Sequence, residues 1–227
     1  DRKQRYVKAV REEINKRQYG KWVRLNIDDV RGKKFFLYPL HMQPEASVDV
    51  VGRYYEDQLQ IIKNIWRIMP DNYILLVKEH SNAIGNRSYG FYKHCKEYPN
   101  IYFINEYTDS HELIDLSEAI FNSGTIGLEA ALKGKPAFVF SHIFYDKLKG
   151  VYNTSIDDLK SCVNYFDLLE KKQTENEMKM SVEEYSHYII ASSFPGVVDP
   201  PVSSPLFTDE TNIRTVVKSF DLFLKNA

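Results

Sequence analysis

Apolar positions in this chain fall into two alternating rhythms. Lys34-Phe-Phe-Leu-Tyr-Pro-Leu40 is a short continuous apolar run beside Gly32 and Pro39, the pattern of a strand buried on both faces. From Tyr54 to Met69 the spacing changes to a helical period. Leu59, Ile62, Ile65, Trp66 and Met69 form one stripe there, and Pro70 stops it. The alternation then repeats, with strands predicted at Tyr73–Val77, Asn100–Ile104, Ala119–Asn122 and Ala137–Phe140. Between them lie helices around Tyr89–Tyr98, from Asp109 or Ser110 through Leu116, and at Thr125–Lys133, where Gly134 supplies the C-terminal cap.

Strands alternating with helices imply a parallel sheet joined by right-handed crossovers. The fold class expected is therefore α/β, a Rossmann-like parallel sheet of about five strands flanked by helices. Upstream, Arg5–Arg17 reads as a basic amphipathic helix carrying Val7, Val10 and Ile14. Downstream of Ser141 the strand signal fades into helices at Ile156–Leu169, Val182–Ala191 and Thr211–Leu224, with an extended Pro-rich segment at Gly196–Pro205. The organisation expected is a basic helix and linker over residues 1–34, a Rossmann-like domain over 35–150, and a helical extension over 151–227 that packs on it.

Composition sharpens this picture only in places. A formal net charge of -1 over 227 residues gives no global attraction for nucleic acid. The first thirty-four residues are nonetheless rich in Lys and Arg. They read as a solvated helix face, with contact to anionic lipid headgroups or a phosphorylated substrate as the alternative. The 16 Tyr and 13 Phe read as core rather than as a stacking surface for ligands. Cys95 and Cys162 have no Cys or His at metal spacing, so no zinc site or disulfide framework is expected and a reduced, cytoplasmic compartment is the simpler inference. No apolar run reaches the ~20 residues that span a bilayer.

In an open parallel sheet, ligands bind beyond the carboxyl ends of the strands, and three polar groups fall there. The first is Phe121-Asn-Ser-Gly-Thr-Ile-Gly-Leu-Glu-Ala130. Free amides at a helix start attract an anion, and Gly124 lets a phosphate approach the backbone. Ser123 and Thr125 add hydroxyl donors, and Glu129, one turn on, can accept the hydroxyls of a ribose. The alternative is an ordinary capped helix with an exposed acid, and the local sequence leaves both open. The second group is Lys78-Glu-His80, where a cation and an imidazole can neutralise a leaving phosphate; the alternative is a charge cluster in water. The third is His41-Met-Gln-Pro-Glu45, in which Gln43 can read a base edge or sugar hydroxyl and Glu45 can act as a general base; the alternative is a polar turn set by Pro44. Asp157-Asp158 reads as a helix start rather than a metal site, and no Asp-x-Asp sequence ends a strand.

Leu40-His-Met-Gln-Pro-Glu45, Val77-Lys-Glu-His80 and Asn122-Ser-Gly-Thr-Ile-Gly-Leu-Glu-Ala130, followed by Gly134-Lys-Pro136, together resemble the capsule polysaccharide synthesis family, which includes bacterial Kdo transferases. They look distantly like the glycerophosphotransferases of teichoic acid synthesis. The resemblance covers roughly Phe35 to Tyr145. It implies a GT-B fold, two Rossmann-like domains with a cleft between, whose C-terminal half holds the nucleotide of the donor. It implies phosphate contacts from His80 and from Ser123, Gly124 and Thr125, and a ribose contact from Glu129. With His41, Gln43 and Lys78, these make up the nucleotide-sugar-binding set. The catalytic group is left between Glu45 and His80, because the family's carboxylate commonly comes from the N-terminal domain. Only one such sheet is legible, so that domain is expected to be missing or minimal and the chain to be an incomplete fragment. The function expected is sugar transfer from a CMP-, CDP- or UDP-activated donor to a glycan or glycolipid acceptor in capsule or surface polysaccharide biosynthesis. Neither metal nor cofactor is expected, and peripheral membrane contact through the basic N-terminal segment stays the alternative to a solvated face. The alternatives are a non-catalytic module of a polysaccharide assembly or export complex and a nucleotide-sugar epimerase-like enzyme.

Overall fold

A computed structural model describes residues 2–43, 55–198 and 208–226. The chain divides into two compact units, residues 1–181 and 182–227. The first unit therefore reaches beyond both ends of the 35–150 span.

The first unit opens with α1 (Arg2–Gly20), β1 (Val23–Leu25) and the single turn α2 (Ile27–Val30). Then come β2 (Phe35–Pro39), α3 (Gln58–Ile68), β3 (Ile74–Lys78), α4 (Tyr89–Cys95), β4 (Ile101–Ile104), α5 (Ser110–Leu116), β5 (Ala119–Phe121), α6 (Thr125–Leu132), β6 (Ala137–Val139) and β7 (Val151–Asn153). The unit closes with α7 (Ile156–Ser161) and α8 (Tyr165–Glu177). The strands form one sheet in the order β1-β4-β3-β2-β5-β6-β7, and every pairing is parallel. Counted from β2, six of them follow the doubly wound order 3-2-1-4-5-6. The α/β, Rossmann-like expectation holds, and β2 to β6 lie where the apolar runs placed them.

The strand count is corrected from about five to seven among the described residues. Both additions, β1 and β7, are three residues long and sit at the sheet edges. Neither is a continuous apolar run: Arg24 interrupts β1, and β7 ends in Asn153. A second correction concerns the long helix expected at Ile156–Leu169, which is two helices. The Asn164 side chain accepts from the amides of Phe166 at 2.8 Å and Asp167 at 3.2 Å, while the Asp167 carboxylate accepts from the Asn164 amide at 3.2 Å. This reciprocal cap starts a new helix in the middle of an apolar pattern that looks continuous. Ser155 and Asp158 cap α7 in the same way, so Asp157-Asp158 is a helix start.

Aromatic residues fill the core. Phe121 stacks on Phe138 at 4.7 Å and Phe138 on Tyr152 at 5.0 Å, a ladder running across β5, β6 and β7. Phe36, fully buried on β2, meets Tyr73, Phe121 and Tyr165. On the other side of β2, α1 is anchored by Tyr19, which packs on Tyr92 of α4 and donates its hydroxyl to the Ile104 carbonyl. The anchored face carries Asn15 and Tyr19, while Tyr6, Val7, Val10 and Ile14 are exposed. Cys95, at the end of α4, is fully buried, and Cys162, between α7 and α8, is nearly so.

The second unit holds α9 (Val182–Ser192) and α10 (Glu210–Asn226). Within it, the Asn212 side chain accepts from the Val197 amide at 2.8 Å and donates to the Val197 carbonyl at 2.9 Å, and Ser219 donates to the Pro195 carbonyl. The Pro-rich segment expected at Gly196–Pro205 falls mostly outside the described residues. No described helix is long and apolar enough to cross a membrane.

Candidate functional site

Strand order reverses at β2, with β3 on one side and β5 on the other. Crossovers leave in opposite directions there, so the carboxyl ends of β2 and β5 part and leave a crevice. A cleft of about 580 Å³ opens at that point. Its walls come from Leu40 and His41 after β2, Lys78 to Ser81 after β3, and Asn122 to Ile126 after β5, with Ile143 and Phe144 at one lip.

The floor is stitched by side chains. Asn122 donates from Nδ2 to the Pro39 carbonyl at 2.7 Å and accepts the Gly124 amide at Oδ1. The Ser123 hydroxyl accepts the Phe140 amide at 2.8 Å. Three strand ends, β2, β5 and β6, are thereby held together by two short side chains.

At the start of α6, Gly124 is the cap residue, and no side chain caps the helix. Its own amide is taken by Asn122 and its carbonyl accepts from Gly127 at 3.1 Å and from the Tyr145 hydroxyl. The amides of Thr125 and Ile126 have no acceptor among the described residues. Both residues line the cleft. They are the unpaired donors that a helix start presents to an anion. Glycine is needed on steric grounds. A Cβ at Gly124 would lie 2.8 Å from Asn122 Oδ1 and 3.3 Å from His41 Cε1. One at Gly127 would lie 2.6 Å from the Tyr145 hydroxyl oxygen.

Two titratable groups face these amides across the cleft. Lys78 donates to the Glu106 carbonyl at 2.9 Å, and partial burial pulls its pKa below the ordinary lysine value. His80 is exposed, and its Nδ1 accepts the Asn82 amide at 3.2 Å. In the neutral ring the proton then sits on Nε2, which leaves that nitrogen as a donor.

Behind them is a cluster that sequence reasoning missed. Glu79 is fully buried; its carboxylate accepts from the His80 amide at 2.9 Å, from Arg87 Nε at 2.8 Å and from the Tyr92 hydroxyl at 2.9 Å. Arg87 also donates to the His41 carbonyl and lies over the Phe91 ring. One guanidinium thus ties the loop after β2 to the loop after β3. Gln58 reinforces the first of these loops, accepting the His41 amide at 2.8 Å and donating to its carbonyl at 3.1 Å. Alternation along β3 was the available signal, because a residue between the cleft-facing Lys78 and His80 has to point inward.

Of the residues singled out in the sequence, His41, Lys78, His80, Ser123, Gly124 and Thr125 are brought together in the cleft. Gln43 is not. Its side chain engages Gln58 and the Glu56 carbonyl, and it lines a separate pocket beside α1. Glu129 lies one turn along α6, 3.7 Å from His111, outside the cleft lining. Glu45 falls outside the described residues.

A sequence profile described as capsule polysaccharide biosynthesis protein matches residues 2–158. No curated protein matches the chain. Among solved structures, MnaA of S. aureus in complex with UDP is 20% identical, covering 68% of this chain and 42% of its own, with a TM-score of 0.44. WaaG, a glycosyltransferase involved in lipopolysaccharide biosynthesis, is 15% identical over 80% of this chain and 47% of its own, with a TM-score of 0.40. The wall teichoic acid polymerase TagF is 16% identical over 72% of this chain and 45% of its own, with a TM-score of 0.38. The chain spans less than half the length of each of them.

Proposed function

This chain belongs to the capsule polysaccharide biosynthesis protein family, and from that premise we propose that its switch-point cleft binds the nucleotide-activated donor of a sugar transferase. One observation carries the reading: the unpaired Thr125 and Ile126 amides open into the same cleft as Lys78 and His80. Two backbone donors, an ammonium group and an imidazole N–H converging on one space suit a phosphate or diphosphate better than any neutral ligand.

When the bond from the sugar to phosphate breaks, negative charge grows on the departing phosphate oxygens. Donors fixed before reaction stabilise that charge without reorganising. The α6 amides and Lys78 supply this field, and His80 Nε2–H supplies one further hydrogen bond. Phe144, 62% exposed at the lip, offers a ring face to the base. The ribose would run along α6 past Thr125 towards Glu129. The donor carries a CMP-, CDP- or UDP-type nucleotide, and the sugar passes to a glycan or glycolipid acceptor. The group that activates the acceptor belongs to the remainder of the enzyme or to Glu45.

The test is thermal denaturation with CMP, CDP and UDP. A ligand of the native state at a hundred times its Kd adds ~2.7 kcal/mol of stability. The expected result is a rise in Tm with one of them that is reduced in His80→Ala. No shift from any of the three at millimolar concentration overturns the reading.

A further inference from the structure

Beside the cleft lies a second concavity of about 480 Å³, lined by α1 and by the loops after β2 and β3. We infer that it is an oxyanion subsite, which receives a carboxylate or phosphate group on the acceptor glycan. The inference rests on the donor reading above, because it assigns this pocket to the second substrate of the same transfer.

The pocket is held open by a fixed wall. Asn15, buried on α1, donates to the Gly85 carbonyl at 2.9 Å. Gly85 has φ +91, and a Cβ there would lie 2.6 Å from the Glu12 carbonyl oxygen. Backbone thus packs directly on backbone, and α1 cannot slide along the loop without breaking that contact. One and two turns before Asn15, the same helix places Arg11 and Lys8 on the pocket wall. Lys8 is 3.6 Å from Glu12, whereas Arg11 has no ion-pair partner among the described residues. Glu12 lines the pocket too, paired with Lys8, and Asn86 adds a carboxamide, while the Gln43 carboxamide is engaged by Gln58 and the Glu56 carbonyl. A planar guanidinium with a neighbouring carboxamide donor matches the two oxygens of a carboxylate or phosphate.

Location supports the assignment. His41 lines the donor cleft and Met42 and Gln43 line the second pocket, so consecutive residues form the partition between them. Arg87, bonded to the His41 carbonyl, follows directly on Asn86. An acceptor held by its anionic group beyond this partition has its neighbouring sugar beside the donor, as a direct transfer requires.

The experiment titrates the protein with trigalacturonic acid, with glucose 1-phosphate and with neutral maltotriose, followed by NMR or calorimetry, for the wild type, Arg11→Gln and His80→Ala. At least one anionic sugar is expected to bind ten times more tightly than maltotriose. Arg11→Gln should remove that preference while leaving the nucleotide-induced Tm shift intact, and His80→Ala should do the reverse. Which of the two anions binds identifies the oxyanion. Equal affinity for all three sugars overturns the subsite, as does an anionic preference that survives Arg11→Gln. Failure of every nucleotide to shift Tm counts against the donor reading separately.

Discussion

The carboxamide of Asn122 spans the switch point, donating to the Pro39 carbonyl at 2.7 Å and receiving the Gly124 amide on its oxygen. One nearly buried side chain therefore sets both the gap between β2 and β5 and the position from which α6 starts. Asn122→Ala leaves a carbonyl and an amide without partners, at a cost of about 1–3 kcal/mol. The variant should unfold at lower urea than the wild type and lose most of its nucleotide-induced Tm shift. An unchanged midpoint would show that water replaces both bonds.

Gly127 and Tyr145 form a second coupled pair. Gly127→Ala puts a methyl group against the Tyr145 hydroxyl, which itself holds the Gly124 carbonyl. Overpacking of this kind costs about 1–3 kcal/mol. In Tyr145→Phe the obstructing oxygen is gone, so adding Gly127→Ala to that background should cost less than adding it to the wild type. A double-mutant cycle by urea denaturation measures the difference, and strict additivity would mean that the two residues do not meet.

The strand ends were legible in the sequence because a continuous apolar run that stops at Lys78 or Asn122 marks where a buried strand leaves the sheet. The Glu79–Arg87–Tyr92 cluster was not, because its members belong to a strand end, a loop and a helix with no shared period. Gln43 lies outside the cleft lining for a related reason. A carboxamide beside a cleft can turn either way, and Gln58, fifteen residues on, turns this one away. The capped restart at Asn164 escaped because the apolar stripe continues through it.

Lys78 gives the cleft a pH dependence. Burial lowers its pKa, so it loses its proton at a pH below the ordinary lysine value of about 10.4. Affinity for the nucleotide phosphate should therefore begin to weaken at a less alkaline pH than a normal lysine would give. In Lys78→Met the overall affinity should be lower and that alkaline limb absent. Titrations across neutral to alkaline pH separate the two proteins, and parallel profiles would remove Lys78 from the site.

Asp158 gives the fold a dependence of opposite sense. Burial alone would raise its carboxyl pKa, but Lys171 at 2.7 Å, Lys172 at 2.9 Å and the Ser155 cap hold it well below the usual carboxylate range. A folded pKa below the unfolded value of about 3.9 means the contribution is present above that pH and is lost as pH falls through the folded value. Asp158→Asn should cost about 1 kcal/mol at neutral pH, the scale of a lost cap. The gap from wild type should close in acid, as urea midpoints measured at several pH values would reveal.

Phe144→Ala tests the lip. Stacking of a base on an aromatic ring contributes about 1–3 kcal/mol, so the nucleotide shift should shrink while the shift with inorganic pyrophosphate stays the same. Equal losses for both ligands would place the base elsewhere.

Cys95 is fully buried at the end of α4, and burial pushes its thiol up to about 12. A maleimide can reach this sulfur only when the helix lifts from the sheet. Its labelling rate is then a clock for opening events on that flank, while Cys162, at the break between α7 and α8, keeps time for the other. Run with and without nucleotide, the two clocks would tell whether occupancy of the crevice quiets the whole layer or only the side that touches the ligand.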